Sequence, residues 1–200
     1  MKFDREVVPF FFAFLIIFFI ITKFIVNINH ALIYSLLLAI ICSLFFRDPG
    51  HYTLIGTKIA DNFNDAYTVR ALDEVIELIN ETYEENYNRL KFIDKDSRFL
   101  SLFDVHVQYS PVAGVVIGQK RYPGTFLMAF NSKLSTQNER VITLIKEFNS
   151  NRLYAIVRIA GNFARRIRTD VEPGTYVNPQ SKIGLIRFGS RVDTYVFELS

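Results

Sequence analysis

The chain is poor in the residues from which several common sites are built. Cysteine occurs once, as Cys42 inside an apolar run, so neither a disulfide framework nor a cysteine-based metal site can form. Histidine occurs three times without metal-ligand spacing, and His106 alone falls in the β-rich region. A Gly-x-Ser-x-Gly elbow and a phosphate-cradling glycine loop of the Walker or dinucleotide type are both missing, which removes the usual hydrolase and nucleotide readings. Basic residues are dispersed and the net charge is only +3, which gives no reason to invoke nucleic acid and at most a weak attraction to anionic lipid. Two hundred residues suffice for about one soluble domain.

Long apolar runs are what the chain does have. Val7 to Thr22 and Ala31 to Phe46 are almost wholly apolar, with a polar break at Asn27, Ile28, Asn29 and His30. The expectation is an N-terminal transmembrane helical hairpin over residues 1–49, with helices over about 7–26 and 31–46; each apolar run is shorter than the roughly 20 residues of a span, and Lys23 to Val26 lengthen the first enough for a short tilted crossing. The second apolar run and the lack of a small-residue cleavage site argue against a cleaved signal peptide. Lys2, Arg5 and Arg47 flank the hairpin while Lys23 alone lies near its turn, so both ends are expected at the cytoplasmic face of the cell membrane.

Residues 50–65, polar and rich in breakers, read as a linker to a β-rich domain over 66–200. The clearest strands are Val115–Ile117, Thr125–Phe130, Arg140–Lys146, Leu153–Ile159, Ile183–Phe188 and Val192–Phe197. Pro123-Gly124 and Pro173-Gly174 supply turn chemistry. The expected fold class is mainly β (α+β), a β-sandwich or partly closed barrel. Leu72, Val75, Ile76, Ile79 and Tyr83 recur at helical spacing, yet Val75–Ile79 is also β-compatible.

A series of blocks follows in fixed order. It comprises Phe45-Phe46-Arg47-Asp48-Pro49, Phe99-Leu100-Ser101-Leu102-Phe103-Asp104-Val105-His106-Val107, Ser110-Pro111-Val112-Ala113-Gly114 and Tyr122-Pro123-Gly124-Thr125-Phe126. Asn138-Glu139-Arg140, Ile159-Ala160-Gly161, Ala164-Arg165-Arg166-Ile167 and Gly184-Leu185-Ile186-Arg187-Phe188-Gly189-Ser190-Arg191-Val192-Asp193 complete it. Taken together and in order, they resemble the short-form phosphatidylserine decarboxylases, a family that includes archaetidylserine decarboxylases.

The resemblance implies a pyruvoyl-dependent enzyme that cleaves itself between Gly189 and Ser190 into β and α chains. The serine attacks the preceding carbonyl, the ester eliminates to dehydroalanine, and hydrolysis leaves a pyruvoyl group on the former Ser190. That carbonyl forms a Schiff base with the amine of phosphatidylserine and takes up the electrons released as CO₂ leaves, giving phosphatidylethanolamine. His106 is the base or proton donor that this chemistry needs. The resemblance also implies a carboxylate that orients the base. Asp73, in Leu72-Asp73-Glu74, is the best match and makes Val75–Ile79 a strand; Asp61 is the alternative and Asp65 a third. Arg165 and Arg166 are candidates for lipid phosphate, since arginine offers a forked donor set. No metal is implied; the membrane and a lipid substrate are the partners, and a homodimer is left open. The alternatives are a catalytically impaired, membrane-attached relative that binds lipid or protein, and an enzyme acting on archaetidylserine.

Overall fold

The computed structural model describes residues 8–25, 28–45, 57–58, 66–83, 90–100, 106–162, 166–186 and 189–199. The chain divides into two compact units, Met1–Pro49 and Gly50–Ser200.

In the first unit, helices α1 (Val8–Ile25) and α2 (Ile28–Phe45) pack on one another. Both leave large apolar side chains exposed, among them Phe12, Ile16 and Ile20 on α1 and Ile33, Leu36 and Ile40 on α2. Each is 18 residues long, a rise of about 27 Å against a hydrocarbon core of about 30 Å. Among the described residues no helix is long and apolar enough to cross a membrane, so the expected transmembrane hairpin is not supported. Ile28, Asn29 and His30, expected in the polar turn, form the first turn of α2.

The second unit is mainly β. Its elements are β1 (Thr57–Lys58), α3 (Ala66–Tyr83), β2 (Leu90–Leu100), β3 (Val107–Tyr109), β4 (Gly114–Tyr122), α4 (Ser132–Ser135), β5 (Arg140–Glu147), β6 (Arg152–Ile159), β7 (Ile167–Thr169), β8 (Tyr176–Val177), β9 (Lys182–Ile186) and β10 (Ser190–Leu199). Seven strands form one antiparallel sheet in the order β1-β2-β10-β6-β5-β4-β8, and three form another in the order β3-β9-β7. Both sheets are open among the described residues, so the partly closed barrel is not formed: β1 and β8 remain edges.

Strand alternation assigns the two faces of the larger sheet. Ile142, Leu144, Leu153, Ala155, Val157, Ile159, Tyr195 and Phe197 form one apolar layer, covered by Ala71, Val75, Leu78 and Ile79 of α3. On the other face Val116, Ile145, Ile156, Val141 and Ala160 meet Ile183 and Ile186 of β9 and Ile167 of β7. The sheet is therefore sandwiched between a helix and the smaller sheet.

Two expected strands are corrected. Val75–Ile79 is helical: the buried Ala71, Val75, Leu78 and Ile79 recur at helical spacing while Asp73, Ile76 and Glu77 face outward, so amphipathic period decides the conformation. Thr125–Phe130 is a loop joined to Asn138 by a single bridge from Thr125. The Pro173-Gly174 turn forms where its chemistry puts it, closed by Thr175 N–H donating to the Glu172 carbonyl at 3.0 Å.

Candidate functional site

The site is assembled by pairing across long sequence separations. β3 lies antiparallel to β9 with Val107 opposite Leu185, and Ile186 N–H donates to the His106 carbonyl at 3.2 Å. Gln108 Nε2 bonds the same carbonyl. Three residues beyond Ile186, the N–H of Gly189 donates to His106 Nε2 at 3.2 Å, so in its neutral form this ring carries its proton on Nδ1. The imidazole is buried and held against the backbone of the Gly189–Ser190 junction.

Two glycines shape that junction. Gly189 has φ +70°, a conformation that costs other residues energy. Gly161, just past the end of β6, runs against it: a Cβ on Gly161 would stand 1.7 Å from the Gly189 carbonyl oxygen and 2.9 Å from its carbon. The register explains the approach, since Ile159 pairs with Arg191 and two further residues on each strand bring Gly161 to Gly189.

Ser190 opens β10 opposite Leu100, wholly buried. Among the described residues its Oγ has no hydrogen-bond partner. An unsatisfied buried hydroxyl costs about 1–3 kcal/mol. Alternation puts its side chain with Val192, on the face covered by the smaller sheet.

Asn138 braces the neighbouring backbone. Its Nδ2 donates to the carbonyls of Leu127 and Ala160 at 2.8 Å each, and its Oδ1 accepts from Leu127 N–H at 2.8 Å and Thr125 Oγ at 3.2 Å. All four of its amide bonds are thereby used. Ala160 precedes Gly161, so this buried amide fixes the segment lying on the Gly189 carbonyl. Asn138 and Gly161 both fall in the ordered sequence blocks, but only the fold gives them a place at the junction.

Of the remaining expected site residues, Asp73 is not gathered here. Asp73 is exposed on α3, which covers the opposite face of the sheet from the Ser190 side chain, so the structure does not bring it to His106. Its neighbour Glu74 turns inward and forms a buried bidentate ion pair with Arg140, which also donates to the Thr136 and Asn138 carbonyls. On the same face Arg191 Nε donates to Asp193 Oδ1 at 2.9 Å and Arg191 Nη2 to Ser97 Oγ at 2.9 Å, while Ser97 bonds Asp193. Asp61, Asp65 and Arg165 lie outside the described residues.

Arg166 is exposed and lines a cleft of about 530 Å³ with Arg121, Arg168 and Gln119, floored by Val141 and Ile167. Behind it Arg158 is fully buried and ties the two sheets together. It donates to the Arg168 and Ile183 carbonyls at 3.0 and 3.3 Å and to Thr143 and Thr169 Oγ at 3.1 Å each. Burial pushes its guanidinium down to about 10, so it stays charged at neutral pH. Among the described residues no three His, Cys, Asp or Glu side chains are placed to hold a metal.

A family model described as phosphatidylserine decarboxylase matches residues 58–198. The phosphatidylserine decarboxylase proenzyme of Anaplasma phagocytophilum (strain HZ) is 32% identical over 160 residues, 80% of this chain and 66% of that relative. That of Cytophaga hutchinsonii is 34% identical over 165 residues, covering 82% and 70%, and that of Cereibacter sphaeroides is 36% identical over 166 residues, covering 82% and 68%. The matched stretch thus spans about two thirds of the length of each of these relatives.

Proposed function

Because the chain belongs to the phosphatidylserine decarboxylase family, a family of decarboxylase enzymes, we propose that it cleaves itself between Gly189 and Ser190 and then decarboxylates phosphatidylserine to phosphatidylethanolamine in phospholipid biosynthesis. The observation that carries the reading is the junction itself. A buried Ser190 Oγ without a hydrogen-bond partner among the described residues, a carbonyl pressed against Gly161 and a histidine bonded to the Gly189 N–H meet at one peptide bond.

Each residue has a definite task in the cleavage. His106 Nε2 gives up the Gly189 N–H and takes the proton of Ser190 Oγ, and the oxygen adds to the Gly189 carbonyl carbon. The C–N bond breaks, its nitrogen gains a proton, and Gly189 and Ser190 are joined by an ester instead of an amide. Loss of the Ser190 Cα proton then breaks the Cβ–O bond and releases Gly189 as a carboxylate. The dehydroalanine left behind takes up water and loses ammonia. The bracing by Asn138 and the absence of a Cβ at Gly161 hold the carbonyl where the hydroxyl must reach it.

The residues present fit a pyruvoyl group derived from Ser190: the orphaned hydroxyl is already buried, next to a carbonyl and a histidine. Once formed, the group supplies an electron sink for the loss of CO₂ from a serine headgroup. With Asp73 across the sheet, the orienting carboxylate in this reading is Asp61, while Arg166 meets the lipid phosphate. The exposed apolar sides of α1 and α2 attach the chain to the membrane, with the catalytic unit on the cytoplasmic face.

The test is conversion of phosphatidylserine in mixed vesicles by the full chain, followed as phosphatidylethanolamine formed and CO₂ released. The expected result is turnover by the wild type and none by Ser190→Ala. Equal turnover by both would remove Ser190 from the reaction.

A further inference from the structure

We propose that the loop after Tyr122 and the arginine cleft beside it form one docking face for an anionic phospholipid bilayer, which carries the Gly189–Ser190 junction to the lipid surface. The inference rests on the lipid-decarboxylase reading above and adds to it a surface of the catalytic unit itself.

The loop presents Met128 and Phe130 to solvent at 49% and 56% exposure, and α4, which follows it, presents Leu134 at 38%. Between them Ala129 is buried, and its Cβ lies 3.6 Å from where a Cβ of Gly161 would stand. The underside of the loop therefore rests on the glycine that rests on the Gly189 carbonyl, while its apolar tips point away. The loop is held in this shape. Asn138 bonds both backbone groups of Leu127, Asn131 N–H donates to the Met128 carbonyl at 3.2 Å, and the Phe130 ring stands edge-on to Phe99 at 5.8 Å. An outward apolar cluster on a braced loop is an interaction surface rather than a collapsed or frayed one.

The same loop reaches the cationic cleft. Phe126 packs against the cluster of Val141, Ala160, Ile167 and Ile186, two of which, Val141 and Ile167, floor the cleft holding Arg121, Arg166 and Arg168. Arg121 pairs with Glu139 and Arg168 with Asp170, whereas Arg166 has no carboxylate partner among the described residues, so the cleft keeps a positive surplus. Apolar side chains flanked by arginines complement a bilayer, whose acyl boundary accepts the first and whose phosphates accept the second. A lipid surface is also where the substrate of the proposed reaction resides. At the other end of β4 stands a second exposed aromatic pair, Phe148 stacked on Tyr176, which does not line this cleft. It lies about 25 Å away along the strand.

The chain has no tryptophan, so Phe130→Trp in the full-length protein gives a single emitter on the docking face, and Tyr176→Trp gives one at the far end. Each protein is reconstituted with vesicles of equal parts phosphatidylcholine and phosphatidylglycerol, with and without brominated acyl chains. Emission from the Phe130→Trp protein is expected to fall roughly twofold or more on bromination and to shift blue, while that from Tyr176→Trp stays nearly unchanged. Arg121→Glu with Arg166→Glu should reduce the quenching. Met128→Trp serves as a second reporter that keeps the Phe130–Phe99 contact. Quenching no greater at positions 128 and 130 than at 176 would overturn the proposal. Intact mass of the same wild-type preparation separates the two readings, since cleavage without quenching removes the docking face alone and quenching without cleavage removes the self-processing reading alone.

Discussion

Replacing Gly161 by alanine probes the junction without touching any reacting atom. The added Cβ would meet the Gly189 carbonyl oxygen at 1.7 Å. To restore even about 3 Å between carbon and oxygen, the carbonyl must retreat by about 1.3 Å, and misplacement of a reacting group by about that much costs on the order of 100-fold in rate. Overpacking of this kind destabilises a fold by about 1–3 kcal/mol, which a domain with typical stability survives. The Gly161→Ala protein should therefore fold and remain uncleaved long after the wild type has matured. Cell-free synthesis followed by intact mass at successive times gives the cleavage rate, and circular dichroism with thermal unfolding establishes that the variant is folded. Cleavage within about threefold of the wild-type rate would refute the positioning of the carbonyl by Gly161.

Further outcomes follow from the same geometry. His106→Ala should slow cleavage by about 100-fold or more, as loss of a positioned acid–base group does; wild-type maturation in a pulse-chase would remove the imidazole from the step. Asp73→Asn, exposed and across the sheet, should leave the cleavage rate within about twofold, so a large loss would show that α3 reaches the junction by another route. Glu74→Ala strands the buried Arg140 guanidinium and should cost about 3–5 kcal/mol in urea unfolding; a loss below about 1 kcal/mol would mean the pair is solvated. Arg158→Lys gives up part of the four-bond fork between the sheets and should lower stability by about 3 kcal/mol, with an unchanged unfolding midpoint counting against that role.

How far the sequence reveals this molecule depends on whether a feature is local. Strands β4, β5, β6, β9 and β10 coincide with β-branched runs, and the two N-terminal helices with unbroken apolar runs. β2 escapes such reading because its pattern is inverted: Lys95 and Ser97 are buried, with Lys95 over the Tyr195 ring, and the pairing with β10 shifts register between Val196 and Phe197. A polar strand buried through its partners leaves no alternating signal. In α3 the helical period of Leu72, Val75 and Ile79 is the correct local signal, and the family resemblance displaces it. Ser190 and His106 stand out by their blocks, but their meeting is non-local: 83 residues separate His106 from Gly189, and only the β3–β9 pairing closes that distance. Asn138 reads as a loop residue until its four bonds are counted, and Gly161 reads as a strand end until its neighbour is known.

In the proposed maturation the hydroxyl buried at position 190 breaks the peptide bond before it. Intact mass spectrometry of the purified full-length protein, with tandem sequencing of the small product, tests this directly. The expected products are a chain ending at Gly189 and a peptide spanning residues 190–200, lighter by one ammonia than the same peptide beginning with serine, with a single continuous chain for Ser190→Ala. A wild-type protein that keeps its full 23.2 kDa mass, with an unmodified Ser190, would contradict it.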